Sequence, residues 1–428
     1  MIVILVCAIA LLAIGIIGIA YAMDAFGGSK DSDDDGGDST PDYPYDVSGG
    51  GASSSDSQPP IPAPTPRPPP PPTTTTTTTQ APLPDTPILC TLSRAVASYQ
   101  YPPPNTCNLI FITHVYCENF KDASPRVQGI LTTPFNFFKK MALDPKYGQT
   151  RFGISVHERY ATECGTTFNT DAELSALYDA NIKHYGLLSV TLQPDQSVIN
   201  LLQRFKAVQK SKNPEYGSVV IGIRGKYGLA PSFGSWIQAV KDKGYDIIVL
   251  HTHISSWNVT GMTGTSGASS WTSTTHAYAS MIDVIVSVNP TAFSTNATFM
   301  LSLTMGVQTF QMKKTDSVTQ LTIKPLSATM SSFAETCASG LTAKTEDLIS
   351  HFMITGSTTT HVQYIYDSSD TIKTKGNKVK EAITQMGIKV KRGWAIFDVE
   401  LDDPANVCKK SRSFDRLIEV VTALGKMR

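Results

Sequence analysis

Four of the eight histidines in this 428-residue chain, His114, His157, His251 and His253, fall near the C-terminal ends of apolar, strand-like runs. A neutral imidazole is a metal ligand or a proton carrier near neutral pH. His251 and His253 are two residues apart, so on a strand they share a face, and His-x-His is a spacing found among zinc ligands. That pattern admits a metal-assisted hydrolase, although no carboxylate base is identified beside it. The plainer reading makes these rings neutral hydrogen-bonding groups. No Cys-x-x-Cys pair occurs, so neither a zinc finger nor a thioredoxin-like redox centre has support. The glycine-rich turn of a nucleotide site is also absent, and no cofactor is expected.

The elements that must position such residues begin at residue 86. Strand-like runs cover 88–94, 108–116, 152–157, 186–193, 218–224, 246–251, 299–306 and 393–399. Helical stretches lie between most of them, at 171–183, 197–210, 234–243 and 372–386. The second of these carries Val198, Leu201, Leu202 and Phe205 on one stripe. Strands apolar on both faces that alternate with helices indicate a parallel sheet. Eight such units in about 340 residues predict a (β/α)8 TIM barrel, an α/β fold. An open doubly wound sheet is the alternative. Lys373, Lys375, Lys378, Lys380, Lys389 and Lys391 give the penultimate helix and its exit a basic face, read as solvated. Trp236 is read as core.

The first 86 residues are of a different kind. Residues 2–22 are apolar apart from Tyr21, and 1–23 is read as a signal or anchor segment. Ala20-Tyr21-Ala22 fits a small-x-small cleavage site; the length of the apolar run favours an uncleaved anchor. Residues 24–86 are rich in Pro, Thr, Ser and Gly, and such sequence has too little apolar surface to offset chain ordering. They read as a disordered, extended stalk that carries the domain at 87–428 outside the cell, secreted or membrane-anchored through residues 2–22. Six cysteines follow the stalk, an even number that suits an oxidising compartment. They allow fifteen pairings. Asn258 and Asn296 head N-glycosylation triplets. Lys+Arg and Asp+Glu balance at 36 each, so no field draws nucleic acid, and a membrane is met only through the N-terminal segment.

The C-terminal third carries a resemblance. Leu301-Ser-Leu-Thr-Met-Gly-Val-Gln-Thr-Phe310 resembles the seventh strand of chitinases of glycoside hydrolase family 18, of the type LGMPTYGRSF. Gly393-Trp-Ala-Ile-Phe-Asp-Val-Glu-Leu-Asp-Asp403 resembles their eighth, of the type GAMVWALDLDD. Tyr245-Asp-Ile-Ile-Val-Leu is similar to the start of their sixth. The resemblance is clear over residues 296–425 and weaker over 86–295. It implies a small α+β insertion between strands seven and eight, about 313–362. It also implies the disulfides Cys90–Cys107 and Cys337–Cys408, which leaves Cys117–Cys164.

The family's acids sit on strand four as DxxDxDxE, the last three on one face. The Glu protonates the leaving oxygen while the substrate's own acetamido group attacks. Here the strand reads Gly186-Leu-Leu-Ser-Val-Thr-Leu-Gln193, which sets Gly186, Ser189, Thr191 and Gln193 at the acid positions. A one-residue shift turns Leu188, Val190 and Leu192 inward, again without acid. Gln193 has no proton to give, and general acid catalysis is worth roughly 10²–10⁴ in rate. Other positions also depart from the family. His253 and Ile254 stand near the expected Tyr and Asp, and Phe397 replaces the sugar-stacking Trp. The resemblance therefore implies a catalytically inactive chitinase-like protein. Its partner would be a chitin-like or other glycan, or a protein, with Phe397, Gln193, His253 and Trp257 as ligand-binding candidates. The alternatives are a hydrolase with repositioned acids, such as Glu158, Asp195 or Glu400, and the metal-assisted hydrolase above.

Overall fold

The computed structural model divides the chain into residues 1–75 and 76–428. It describes residues 83–116, 128–129, 132–159, 161, 170–190, 194–212, 217–224, 233–240, 243, 245–253, 265, 267, 269–271, 280–292 and 296–425, all in the second unit. No helix among the described residues is long and apolar enough to cross a membrane. The apolar segment 2–22 and the stalk up to residue 82 lie outside them.

Eight parallel strands close into a barrel. They are β1 (Ile88–Leu92), β2 (Leu109–Tyr116), β3 (Arg151–Val156), β4 (Ile182–Val190), β5 (Val219–Ile223), β6 (Ile247–Leu250), β7 (Thr298–Thr304) and, after an insertion, β13 (Lys391–Phe397). Each pairs with its neighbour in order, and β1 joins both β2 and β13. Helices α1 (Thr133–Ala142), α2 (Thr170–Asp179), α3 (Gln196–Lys212), α4 (Phe233–Val240), α5 (Met281–Ala292), α6 (Ser369–Gln385) and α7 (Asp415–Gly425) accompany the strands. The TIM-barrel expectation holds.

Strand alternation makes two apolar layers. The inner one fills the barrel with Leu89, Leu109, Phe111, Leu188, Val220, Ile247, Val249, Met300, Ala395 and Phe397. The outer layer packs strand residues such as Leu187 and Val190 against helix residues such as Leu202, Phe205 and Trp236, so Trp236 is core as read. The apolar stripe of α3 buries Val198, Leu201, Leu202 and Phe205 together.

Three expectations need correction. The helix expected at 171–183 ends at Asp179, because Asn181 takes the left-handed conformation (φ 65°) and its side chain donates to the Ala142 carbonyl (2.7 Å). Ile182, expected on that helix, begins β4. The insertion is present, with wider bounds than expected. It is a five-stranded antiparallel sheet of β8 (Val307–Gln311), β9 (Ser327–Ser331), β10 (Thr345–Asp347), β11 (Phe352–Ser357) and β12 (Val362–Tyr366), with one 3-10 turn at Phe333–Cys337. It starts earlier than expected, since the run 301–310 breaks at Met305-Gly306 into β7 and β8. Finally, Lys375 is not part of a solvated face. It is fully buried and donates to Asp367 and to the Ser269 carbonyl. Its position on α6 turns it toward the barrel, where only an ion pair makes a buried ammonium tolerable.

Candidate functional site

The chemistry of a TIM barrel sits at the C-terminal ends of its strands. At that end β4 departs from regular pairing with β5: Leu187 opposes Ile221, but Val190 opposes Ile223. Three steps on one strand match two on the other, which is a β-bulge at Leu188-Ser189. Neither simple register of the sequence reading therefore applies. Leu188 lies in the inner layer and Val190 in the outer one, with half-buried Ser189 between them. Thr191 and Gln193 lie outside the described residues.

Gly186 explains itself by close approach. A Cβ there would stand 2.3 Å from the Val220 carbonyl oxygen. Real contacts never come that near, so the strand admits no side chain at this position, acidic or otherwise, without moving β5. Gly222 on β5 shows the reciprocal crowding, its added Cβ falling 2.5 Å from the Leu188 carbonyl oxygen.

The bulge sets the task of the histidines. A bulge leaves a ladder group without its strand partner, and a buried unpaired carbonyl is costly. His251, just past the end of β6, donates from Nε2 to the Leu188 carbonyl. Burial, reinforced by the Arg224 charge, lowers the His251 pKa to about 3. The ring is therefore neutral at any ordinary pH. His253 stacks on it with centroids 5.0 Å apart and shares a short 2.6 Å hydrogen bond between Nδ1 and the Ser302 hydroxyl. Ser302 Oγ also accepts from the Thr252 amide (2.8 Å), and Thr252 Oγ1 donates to the Ser302 carbonyl (2.6 Å). Phe397 closes the group, 4.9 Å from the His251 ring and 4.4 Å from the His253 ring.

The structure thus joins three predicted residues, His251, His253 and Phe397, into one buried aromatic stack. Phe397 is only 4 % exposed and belongs to the inner barrel layer. Across the barrel, Ser155 Oγ accepts from the Leu188 amide (2.8 Å) and meets His114 Nδ1 (3.2 Å), while His114 and His157 pack edge to face at 6.2 Å. The histidines form two pairs, one just past β6 and one bridging β2 and the end of β3. No group of three metal-ligating side chains occurs among the described residues. The sequence reading missed Ser155 and Ser302, which orient the two pairs. A lone serine inside an apolar strand was the available signal.

The three carboxylates weighed as repositioned acids separate. Asp195 accepts from the Ser197 amide (2.7 Å) at the start of α3, and hydrogen bonds from Ser197 hold its pKa down. It is a helix cap. Glu158 is half-buried, two residues beyond β3. Glu400 is buried at the end of β13, where Oε1 accepts from the Ser93 amide (2.7 Å), the Ser93 hydroxyl (2.6 Å) and the Arg94 amide (3.2 Å). Burial first, then the Asp398 charge, raises its pKa. Its Oε2 has no hydrogen-bond partner among the described residues. Glu400 pins the segment after β1 to the segment after β13. Asp398, in the left-handed conformation, ties β13 to β7 by accepting from Thr304 Oγ1 (3.0 Å).

Two disulfides form as the resemblance implied, Cys90–Cys107 and Cys337–Cys408. Cys117, Cys164, Trp257 and Asn258 lie outside the described residues. Asn296 is exposed just before β7.

No family model and no curated protein matches this chain. Solved structures do. A Group IV chitinase from Ostrinia furnacalis is 12% identical with a TM-score of 0.56, over 80% of this chain and 100% of that one. A family 18 N-acetylglucosaminidase from Paenibacillus barengoltzii is 12% identical with a TM-score of 0.54, over 80% and 100%. A family 18 chitinase variant from Cycas revoluta in complex with (GlcNAc)4 is 10% identical with a TM-score of 0.55, over 79% and 99%. The chain therefore has the fold of the family 18 chitinases, a (β/α)8 barrel with an antiparallel insertion before its last strand.

Proposed function

We propose that this protein is an extracellular, catalytically inactive chitinase-like protein that binds a glycan at the barrel mouth. The observation that carries the reading is the fourth strand. No acid occurs in the run from Gly186 to Gln193, which aligns with the family's acid-bearing strand, and the site of Gly186 leaves no room for any side chain. Glycan binding is supported by the fold and by the (GlcNAc)4 carried by the Cycas revoluta chitinase variant. A location outside the cell is supported by the two disulfides.

The repositioned-acid reading is weaker on geometry. Asp195 caps a helix, and Glu400 Oε1 holds a loop. A metal-assisted reading finds His251 already committed to the Leu188 carbonyl. The test is titration of the full chain with chitotetraose, followed by intrinsic fluorescence, for wild type and Phe397→Leu. Leucine keeps apolar bulk in the inner layer but removes the ring. Saturable binding weakened about tenfold in the variant, worth about 1.4 kcal/mol, supports the reading. Absence of binding to chitotetraose and to every glycan of an array overturns it.

A further inference from the structure

A second cavity lies on the outer side of the barrel wall, between α5 and α6. Its floor is three strands in register. Leu250, Leu301 and Trp394 stand side by side across β6, β7 and β13. Two residues nearer the strand starts, Phe299 pairs with Arg392. Ile285 of α5 and Ile383 of α6 line the sides, and half-buried Ile388 and Val390 line it from the segment that leads into β13. Gly376 also lines it, buried in the middle of α6, and contributes backbone without a side chain. Glycine weakens a helix interior and is used where something must approach the backbone closely.

The free volume is about 60 Å³. At roughly 10–15 Å³ for each water, this is room for about four to six waters, or for one phenyl ring. Among the described lining residues only Lys380 and Arg392 are charged, and both are cations. Lys380 is exposed and lies one turn of α6 from Gly376, which puts it at the rim of the same helix face. Arg392 is the anomaly. Strand alternation sets it on the helix-facing side of β13 with Trp394 and Ile396, both members of the outer core layer. It is half-buried there. Neither its guanidinium nor the Lys380 ammonium has a side-chain partner among the described residues.

A guanidinium drawn partly out of water without a counter-charge is unfavourable, and its planar fork fits a carboxylate through two parallel hydrogen bonds. A neutral apolar molecule would leave both cations unused. A sugar or a bare phosphate would set polar groups against apolar walls. A carboxylate joined to a compact apolar body satisfies both parts of the cavity. We infer that this cavity binds a small amphipathic monocarboxylate. The apolar body lies against Leu301, Phe299 and Trp394 beside Gly376, and the carboxylate meets Arg392 and Lys380. The site shares no residue with the barrel mouth, and the inference stands apart from the reading of that mouth.

The experiment is protein-observed NMR of the tryptophan indole N–H groups in the full chain, with the Trp394 signal assigned through Trp394→Phe. Three probes are titrated: 3-phenylpropanoate, its neutral amide, and acetate, which lacks the apolar body. Saturable movement of the Trp394 signal is expected with 3-phenylpropanoate, at least tenfold weaker with the amide, and none with acetate over the same concentrations. Lys380→Gln with Arg392→Gln should weaken 3-phenylpropanoate at least tenfold and leave the amide unchanged. Both side chains reach solvent and hold no internal partner, so this variant keeps the fold. A Trp394 signal unmoved by 3-phenylpropanoate, equal affinity for acid and amide, or binding insensitive to the double variant overturns the inference.

Discussion

Lowering the pH from 7 to 5 should destabilise this protein, and His251 should account for a calculable share. The sign follows from the direction of its shift. His251 is neutral in the folded chain down to about pH 3, whereas in the unfolded chain it titrates near its reference value of about 6.5. Below that value the unfolded state binds the additional proton, so stability is fully present above about pH 6.5 and is lost as pH falls toward the folded value. Between pH 7 and 5 the loss for one such histidine is about 2 kcal/mol, from a slope of about 1.4 kcal/mol per pH unit that sets in below 6.5. His184 is buried, also with a pKa of about 3, and accepts from the Ser218 amide (3.1 Å), so it contributes a similar loss. His251→Leu removes one of the two. At pH 7 the variant should be weaker by about 1–3 kcal/mol, the cost of leaving the Leu188 carbonyl buried without a donor. Its further loss on going to pH 5 should be smaller than that of wild type by about 2 kcal/mol. Urea unfolding followed by tryptophan fluorescence at both pH values measures the difference, in which every other titrating group cancels. A variant that loses as much stability between pH 7 and 5 as wild type would refute the buried, neutral assignment of His251.

Further outcomes follow from the same structure. Gly186→Ala should cost about 3 kcal/mol or more, since its Cβ meets the Val220 carbonyl at 2.3 Å; a thermal midpoint equal to wild type would contradict the crowding of β4 and β5. Lys375→Met should destabilise by about 3–5 kcal/mol by leaving Asp367 buried and unpaired. Much of that loss should return in Lys375→Met with Asp367→Asn, as read from urea midpoints. Removing Cys337–Cys408, which closes 71 residues, should cost about 4 kcal/mol, and removing Cys90–Cys107, which closes 17, about 3 kcal/mol. Unfolding of the paired Cys→Ser variants checks both values.

The barrel was legible because its strands are apolar on both faces and alternate with periodic helices. The C-terminal end of β13, with Trp394, Phe397 and the Asp402-Asp403 pair, carried the resemblance. What escaped reading was set by tertiary contacts. Nothing in the local pattern around Leu188 announces a bulge, because the register shift exists only in the pairing of β4 with β5. Lys375 reads as solvent-facing among its flanking lysines until α6 is wrapped on the barrel beside Asp367. The insertion was legible by analogy, but its bounds were not, because the break at Met305-Gly306 lies inside an apparently continuous run. The histidines lie at or just past the C-terminal ends of β2, β3 and β6, but their partners Ser155, Ser302 and the Leu188 carbonyl lie on other strands, beyond the reach of sequence spacing.

The central claim is the absence of hydrolysis at a chitinase-like mouth. It is tested most directly by incubating the purified full chain with a fluorogenic chitooligosaccharide across pH 4–8. The account predicts release no faster than the buffer blank, unchanged in Glu400→Gln and Glu158→Gln. Turnover above the blank that disappears in either variant would contradict it and identify a working acid.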